Sequence, residues 1–181
     1  MILTDREIQI AVARKEIIID PPPAASAYSS TSVDLTLDPI VSVFKDPGSG
    51  LNMSIDPVPG FNPETLLPQI AEQTTIGKEG YPLKPHTLVL AWTTEYVDLR
   101  SSVRLAARVE GKSSLARVGL GVHVTAPTVH AGFNGRIRLE IVNHGKLSII
   151  LRQGMKICQL IFEQTLGAPE KGYSGLFSGQ K

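Results

Sequence analysis

The residues best suited to chemistry in this chain form one short run that opens with a glycine. Positions 111–120 read Gly-Lys-Ser-Ser-Leu-Ala-Arg-Val-Gly-Leu, so two cations, Lys112 and Arg117, stand on either side of two hydroxyls, Ser113 and Ser114. These side chains donate hydrogen bonds, and a ligand with several anionic oxygens can accept them. The run therefore predicts a nucleotide phosphate site, and the alternative for such a run is an exposed turn that leads into a helix.

The run does not follow two familiar phosphate-binding patterns. A P-loop needs the first glycine of G-x-x-x-x-G-K-[ST] at position 106, and the chain has Ala106 there. The glycines also do not follow G-x-G-x-x-G between a strand and a helix. A phosphate that binds here is therefore held by another architecture.

Positions 136–142 carry the next candidates, on a segment that alternates charged and apolar side chains. In a strand, this alternation puts Arg136, Arg138 and Glu140 on one face and the apolar residues between them on the other. The charged face could simply be solvated. A carboxylate beside a cationic, anion-binding run indicates a separate task, however, and Glu140 is a candidate general base.

Composition excludes several classes of function. The chain has 181 residues, of which 42% are hydrophobic and 19% charged, and this predicts one globular domain. A formal net charge of +1 gives no broad positive field for nucleic acid or an anionic membrane, so an anion must be bound locally. The single cysteine, Cys158, excludes an intramolecular disulfide and a cysteine-rich zinc site, and we expect it to be a core thiol.

The sequence also predicts a cytoplasmic protein without a membrane partner. Its first residues, Met-Ile-Leu-Thr-Asp-Arg, lack the basic and apolar regions of a signal peptide. No apolar run approaches the ~18 residues that a membrane span needs.

The elements that must position the candidate residues are mostly strands. A helix is expected first, because positions 4–7 form a capping box in which the Thr4 hydroxyl accepts a hydrogen bond from the Glu7 amide. Positions 17–19 and 31–37 predict strands. Positions 46–86 are rich in proline, glycine and asparagine and predict a long irregular excursion with a short periodic piece at 64–70.

Closely spaced strand signals follow the excursion. Six short runs are separated by turn residues, at 87–93, 105–109, 121–125, 136–142, 147–151 and 156–162. This spacing favours an antiparallel sandwich or jelly roll over alternating strands and helices. The glycine-rich tail at 172–181 is predicted to be mobile.

Several of these segments together resemble the dCTP deaminase family, within the dUTPase-like superfamily. The motifs are the run at 110–120, His-Val-Thr-Ala at 123–126, Gly-Phe-Asn-Gly at 132–135 leading to Leu-Glu at 139–140, and Gly-Met-Lys-Ile-Cys-Gln-Leu at 154–160. The segments at 3–8, 19–21 and 32–35 are similar to the N-terminal part of the family's sequences as well. The resemblance covers most of the chain and is weakest between 46 and 85 and after 165.

This resemblance implies a fold, an assembly and a reaction. The fold is a mainly β, distorted jelly roll or dUTPase-like β-sandwich with a short N-terminal helix, and it forms a homotrimer with active sites at the subunit interfaces. The reaction is hydrolysis of dCTP to dUTP and ammonia, with Mg²⁺ bound through the triphosphate and no zinc, unlike deaminases that hold zinc with His and Cys. Residues 1–165 would form the nucleotide-binding domain and residues 166–181 a flexible C-terminal arm or lid.

The resemblance also implies roles for the charged and hydroxyl residues. Glu140 would be the general base that takes a proton from water and passes it to the leaving amine. Ser113 would hold the water or the developing negative charge, and Arg117 would orient Ser113 and Glu140. Lys112 and Ser114 would bind phosphate oxygens.

The rest of the implied site surrounds the base and the phosphates. The Ala126 carbonyl and the backbone around Arg138 would hold the cytosine edge. Gln159 could reach a phosphate or could be a satisfied polar group of the sheet. Lys171 and Tyr173 lie in a tail that would close over the nucleotide.

His130 is the main departure from the family's pattern. The family usually has an aspartate there, which binds the sugar 3′-hydroxyl and, in the pyrophosphatases, helps to orient water. A histidine can still exchange one hydrogen bond with the sugar, but it is mostly uncharged at neutral pH. A deaminase is therefore favoured over a dUTP pyrophosphatase or a bifunctional enzyme, and a non-catalytic nucleotide-binding regulator stays open.

Overall fold

Long antiparallel strands form the body of the protein. A computed structural model describes residues 1–46, 48, 54–100 and 104–170. The α-helices within these ranges are α1 (Asp5–Ala13), α2 (Pro63–Ile70) and α3 (Ser113–Ala116), and none of them is long and apolar enough to cross a membrane. The strands are β1 (Ile17–Asp20), β2 (Tyr28–Ser29), β3 (Ser32–Phe44), β4 (Ala71–Thr75), β5 (Tyr81–Leu83), β6 (Leu88–Leu99), β7 (Leu105–Gly111), β8 (Leu120–Gly121), β9 (Thr128–Val129), β10 (Asn134–Asn143), β11 (Ile149–Leu151) and β12 (Lys156–Gln164).

The strand β3 links two halves of one curled antiparallel sheet. The order along this sheet is β8-β10-β6-β3-β12-β7-β9, with β1 added to β6 and both β2 and β4 added to β3, while β5 and β11 pair separately. Positions 33–36 of β3 pair with β12, and positions 37–43 pair with β6 across an irregular register. The sheet therefore folds over on itself, which confirms the predicted mainly β, jelly-roll-like fold.

The core is one connected cluster of side chains from both halves of the sheet. Leu35, Ile141 and Phe162 are fully buried there, and α1 adds Ile8 and Ala11 from its inward face. Complete burial of one large apolar side chain contributes about 1.5–3 kcal/mol to folding. The alternation that predicts these strands thus corresponds to a real inward face.

Cys158 belongs to this core, as predicted. Its side chain lies fully buried on β12, and burial raises the pKa of the thiol far above its usual range. A buried thiol that stays protonated is unreactive and packs as a small apolar group.

Helix α1 begins after Thr4, as predicted. The hydrogen bond predicted for the Thr4 cap is wrong, however. The Thr4 hydroxyl donates to the Glu7 carboxylate instead of accepting from the Glu7 amide. A hydrogen bond to an ionised acceptor is stronger than one between neutral groups. This contact lowers the pKa of Glu7.

The predicted irregular excursion at 46–86 contains regular elements. The periodic piece at 64–70 is helix α2, which Asn62 caps by accepting a hydrogen bond of 2.9 Å from the Glu64 amide. The strand β4 pairs with β3, and four of its five residues are exposed. An edge strand with so little buried surface carries no alternating pattern, and for that reason the sequence does not reveal it.

The predicted strand at 121–125 is wrong beyond its first residue. The pairing of β8 with β10 ends at Gly121, and the chain then bends away from the sheet. The amide of Val124 contacts the Glu140 side chain at 3.4 Å, so a carboxylate takes the place of a strand partner here.

Candidate active site

A cavity of about 620 Å³ lies between α2 and the sheet. Its walls are mostly apolar and come from α2, the strands β6 and β10, and the segment 123–133. The polar residues of the lining are Glu64, His123, Thr128, His130, Arg138 and Glu140. A mostly apolar cavity of this size with a few convergent polar groups is typical of a small-molecule site.

The strand β10 supplies the charged residues of the cavity. Its residues alternate between half-buried and buried positions along the whole strand, with Ile137, Leu139 and Ile141 buried. The intervening charged residues share the other face, as the sequence predicts, and two of them, Arg138 and Glu140, line the cavity. β10 is held by β6 on one side and β8 on the other, so the charged face stands on a paired strand.

Glu140 is half-buried at the wall of the cavity. One of its carboxylate oxygens accepts a 3.4 Å hydrogen bond from the Val124 amide, where the segment after β8 passes over β10. A carboxylate at the edge of an apolar cavity can accept a proton from a water molecule that lies between it and a bound ligand.

The segment 123–133 brings the remaining cavity residues to Glu140. Val109 donates to the Pro127 carbonyl at 2.8 Å and β9 pairs with β7, so the segment is anchored to the sheet. His123, Ala126 and His130 line the cavity from this segment. Ala126 and His130 are exposed, whereas the His123 Nδ1 atom is buried without a hydrogen-bond partner in the part of the chain that the structure describes.

Arg138 is fixed by contacts on two sides. Its guanidinium carbon lies 4.8 Å from the centre of the ring of Trp92, its cross-strand partner on β6. Its Nη1 atom lies 3.4 Å from both carboxylate oxygens of Glu64 on α2. The Nε atom is buried and has no hydrogen-bond partner within the described ranges. The charge of Arg138 is therefore balanced by Glu64 on α2, the helix that covers the cavity.

The run at 111–117 forms a separate surface. Helix α3 begins after Lys112, and Ser113, Ser114 and Arg117 are exposed around it. None of these four residues lines the cavity that contains Glu140. The alternative interpretation of this run, a turn leading into a short exposed helix, therefore describes its local structure correctly.

Lys112 nevertheless has a specific partner. Its ammonium pairs with one oxygen of Asp34, and Lys156 approaches the other oxygen at 3.2 Å. The Asp34 side chain is only 5% exposed, while the two lysines are 23% and 43% exposed. A buried carboxylate thus fixes two cations that still reach solvent.

Gln159 anchors the start of the same run. Its amide nitrogen donates to the Gly111 carbonyl at 3.0 Å, and its oxygen accepts from the Ser32 hydroxyl at 2.7 Å. Across the sheet it pairs with both Asp34 and Glu110. The side-chain amide of Gln159 is thus a satisfied polar group of the sheet, and its contact with a phosphate stays a prediction.

Comparison with known proteins identifies the family. A family profile described as dCTP deaminase-like matches residues 2–165. The dCTP deaminase of Rhodospirillum rubrum is 36% identical over 174 residues, covering 96% of this chain and 88% of that protein. A dUMP-forming dCTP deaminase of Persephonella marina is 35% identical over 181 residues, covering 100% of this chain and 93% of that protein.

The chain belongs to the dCTP deaminase-like family. The predicted resemblance is thereby confirmed. A crystal structure of the 2′-deoxycytidine 5′-triphosphate deaminase of Agrobacterium tumefaciens agrees in fold, with a TM-score of 0.69 at 21% identity. That match covers 90% of this chain and 48% of the Agrobacterium chain.

Lys171 and Tyr173, predicted to close over the nucleotide, lie outside the described residues. Within residues 1–46, 48, 54–100 and 104–170, no three His, Cys, Asp or Glu side chains are grouped so that they could hold a metal ion.

The sequence did not reveal three residues of these two regions, Glu64, Asp34 and Trp92. Helix α2 contributes Glu64 and an apolar wall, but its periodicity at 64–70 lies inside a proline-rich stretch where the family resemblance is weakest. Asp34 is one of two aspartates that alternate with apolar residues along β3, and an acidic side chain on a predicted strand is the signal that could have identified it. Trp92 could have been found only from the register of β6 against β10.

Proposed function

We propose that this protein catalyses the hydrolytic deamination of dCTP to dUTP and ammonia. Water adds through its oxygen to C4 of the cytosine as the C4–N3 double bond becomes single and N3 takes up a proton. The bond from C4 to the amino nitrogen then breaks as the C4 carbonyl forms. One observation carries the proposal: in a chain of the dCTP deaminase-like family, Glu140 faces a mostly apolar cavity that also contains His123, Ala126 and His130.

Glu140 is the proton carrier in this proposal. Its carboxylate takes a proton from the attacking water and delivers it to the leaving amine, so that ammonia departs as a neutral molecule. The contact from the Val124 amide supports this role, because it holds one carboxylate oxygen and leaves the other free to face the ligand.

The cavity wall around Glu140 suits a pyrimidine nucleoside. Apolar walls can enclose the base, and the Ala126 carbonyl can accept a hydrogen bond from the 4-amino group, which distinguishes cytosine from uracil. The backbone around Arg138 would bind the same edge of the base. His130 would exchange a hydrogen bond with the sugar.

The separate surface around α3 supports a homotrimer with composite active sites. Lys112, Ser113, Ser114 and Arg117 carry the donors that a triphosphate and the reaction need, but they do not line the cavity of their own chain. We therefore propose that this surface of one subunit completes the cavity of its neighbour. Lys112 would then share its charge between Asp34 and a phosphate oxygen.

We propose that Mg²⁺ enters the site on the triphosphate, because phosphate oxygens are the hard ligands that Mg²⁺ prefers. Residues 166–181, which include Lys171 and Tyr173, would act as an arm that closes over the nucleotide. Removal of Mg²⁺ should weaken the binding of dCTP and leave the binding of deoxycytidine unchanged. A zinc-selective chelator should leave turnover unchanged.

The direct test is incubation with dCTP and Mg²⁺, followed by separation of dUTP, dUMP and ammonia. Equal amounts of dUTP and ammonia are the expected result. Release of dUMP and pyrophosphate would favour the second candidate, a bifunctional enzyme, which the similarity to the dUMP-forming Persephonella marina protein supports. Nucleotide binding without any product would favour the non-catalytic regulator.

A further inference from the structure

Arg136 and Arg138 stand two positions apart on β10 and are used in different ways. The Nε atom of Arg136 donates to the Thr93 carbonyl at 2.9 Å, and its Nη2 atom pairs with Asp38, which is itself buried. Arg136 thus uses two of its guanidinium nitrogens to bind groups of the sheet. It is a structural arginine.

Arg138 leaves its Nε atom without a hydrogen-bond partner among the described residues. Its side chain is 16% exposed, and its Nε atom is buried without a hydrogen-bond partner within the described ranges. The contacts that fix the guanidinium, Trp92 at 4.8 Å and Glu64 at 3.4 Å, do not involve this atom. A buried donor without a partner destabilises a protein, and an acceptor supplied by a ligand removes that cost.

Arg138 lines the cavity, although Nε itself is buried, so an acceptor in the cavity reaches Nε after a small shift of the guanidinium. Arg138 lines the cavity together with Glu140, which is two positions further along the same face of β10. The stacking on Trp92 and the pairing with Glu64 hold the guanidinium in place before a ligand arrives, so little side-chain freedom is lost on binding.

The surroundings of Arg138 indicate which part of a nucleotide it meets. Most of the cavity lining is apolar, and Lys112, Ser113, Ser114 and Arg117 lie outside it. The charge of Arg138 is already balanced by Glu64. These features favour a neutral acceptor oxygen of the base or the deoxyribose over a phosphate oxygen.

We propose that Arg138 is a specificity-determining residue that donates a hydrogen bond from Nε to an acceptor oxygen on the nucleoside part of the substrate. Glu64 is a positioning residue that holds the guanidinium from α2. This inference rests on the proposed function, since it requires a deoxycytidine nucleotide in the cavity.

The test measures the affinity of deoxycytidine, dCMP and dCTP by titration calorimetry. All proteins carry Glu140→Gln, so that no ligand is consumed. Arg138→Lys keeps the positive charge but lacks the Nε donor, and we expect it to weaken the binding of all three ligands by roughly tenfold. The control is Arg152→Lys, the same change on an exposed turn, and it should bind as the parent does.

Glu64→Gln provides a second variant on an exposed side chain of α2, where misfolding is not a concern. We expect a weakening of about two- to fivefold for all three ligands, because the lost contact is long and partly solvated. In the otherwise wild-type protein this change should raise KM and leave kcat unchanged. An effect confined to the melting temperature would show that Glu64 and Arg138 only stabilise the fold.

Three results separate the two proposals. If the Glu140→Gln parent binds none of the ligands, the proposed function fails. If it binds them and Arg138→Lys binds equally well, only the role of Arg138 is overturned. If Arg138→Lys weakens dCTP but not deoxycytidine, the arginine contacts phosphate and the inference is also overturned.

Discussion

The cavity under α2 and the run at 111–117 are built in opposite ways. Residues far apart in the sequence meet in the cavity because α2, the segment 123–133 and β10 fold together. The run is continuous in the sequence, yet on the folded chain its serines and Arg117 are exposed. A strong local motif is therefore not by itself a binding site, whereas residues that are dispersed in the sequence form a cavity within a single chain.

The two regions also balance their charges differently. Near the run, the buried carboxylate of Asp34 lies between Lys112 and Lys156. In the cavity, Arg138 pairs with Glu64 on α2, and Glu140 has a backbone amide as its hydrogen-bond partner. The first arrangement fixes cations that face solvent, and the second leaves the Glu140 carboxylate at the wall of the cavity without a cationic partner among the described residues. This difference can be tested one region at a time.

The largest effect is expected at Glu140. Glu140→Gln keeps the shape and the hydrogen bonding of the side chain but removes the base, so turnover of dCTP should fall by ~10²-fold or more. Binding of dCTP, measured by calorimetry, should persist. Glu110→Gln is the matched control, since Glu110 is half-buried on β7 outside the cavity. Deamination at a near-normal rate by Glu140→Gln would contradict the role of Glu140 as the base and, with it, the catalytic role of the cavity.

Mixing two inactive variants tests whether the two regions meet across a subunit boundary. Glu140→Gln removes the carboxylate of the cavity, and Ser113→Ala removes a hydroxyl of the run at 111–117. If each site uses the cavity of one subunit and the run of the next, equal mixing with subunit exchange should restore about a quarter of wild-type turnover. Ammonia release before and after mixing measures this. A mixture that stays inactive after verified subunit exchange would contradict the composite site.

Much of this architecture could be predicted from the sequence. The alternation at 136–142 predicts which side chains of β10 face inward, and short strands separated by turns predict the curled antiparallel sheet. These features depend on local periodicity, which a single sequence displays directly. The burial of Cys158 follows from the same pattern.

The contacts between elements could not be predicted in this way. The pairing of Glu64 with Arg138 spans 74 positions and depends on how α2 packs over β10. After β8 ends at Gly121, the Val124 amide contacts the side chain of Glu140 on β10. The bond that Asp34 makes with Lys112 depends on β3 and β7 lying on either side of β12. Each is a tertiary contact with no local pattern.

Asp34→Asn tests the region of the run without touching the cavity. The change removes a buried charge that holds two lysines, so the free energy of unfolding should fall by about 2 kcal/mol. Urea denaturation measures this loss. Glu163→Gln is the control, because Glu163 pairs with Arg108 at the surface and should change stability by about 0.5 kcal/mol or less. Deoxycytidine should bind both variants equally, and a loss of its affinity in Asp34→Asn would show that the two regions are coupled.

The smallest effect is expected at His130, where the resemblance described under Sequence analysis implies an aspartate in other members. If that carboxylate holds the sugar 3′-hydroxyl and permits pyrophosphate cleavage, the wild-type protein should accumulate dUTP with little dUMP. His130→Asp should strengthen one hydrogen bond to the sugar by about 1 kcal/mol, which tightens dCTP about fivefold. Calorimetry with dCTP and with 2′,3′-dideoxycytidine triphosphate locates the gain, because only dCTP has the 3′-hydroxyl. An equal gain for both nucleotides, or efficient dUMP release by the wild-type protein, would contradict the role given to His130.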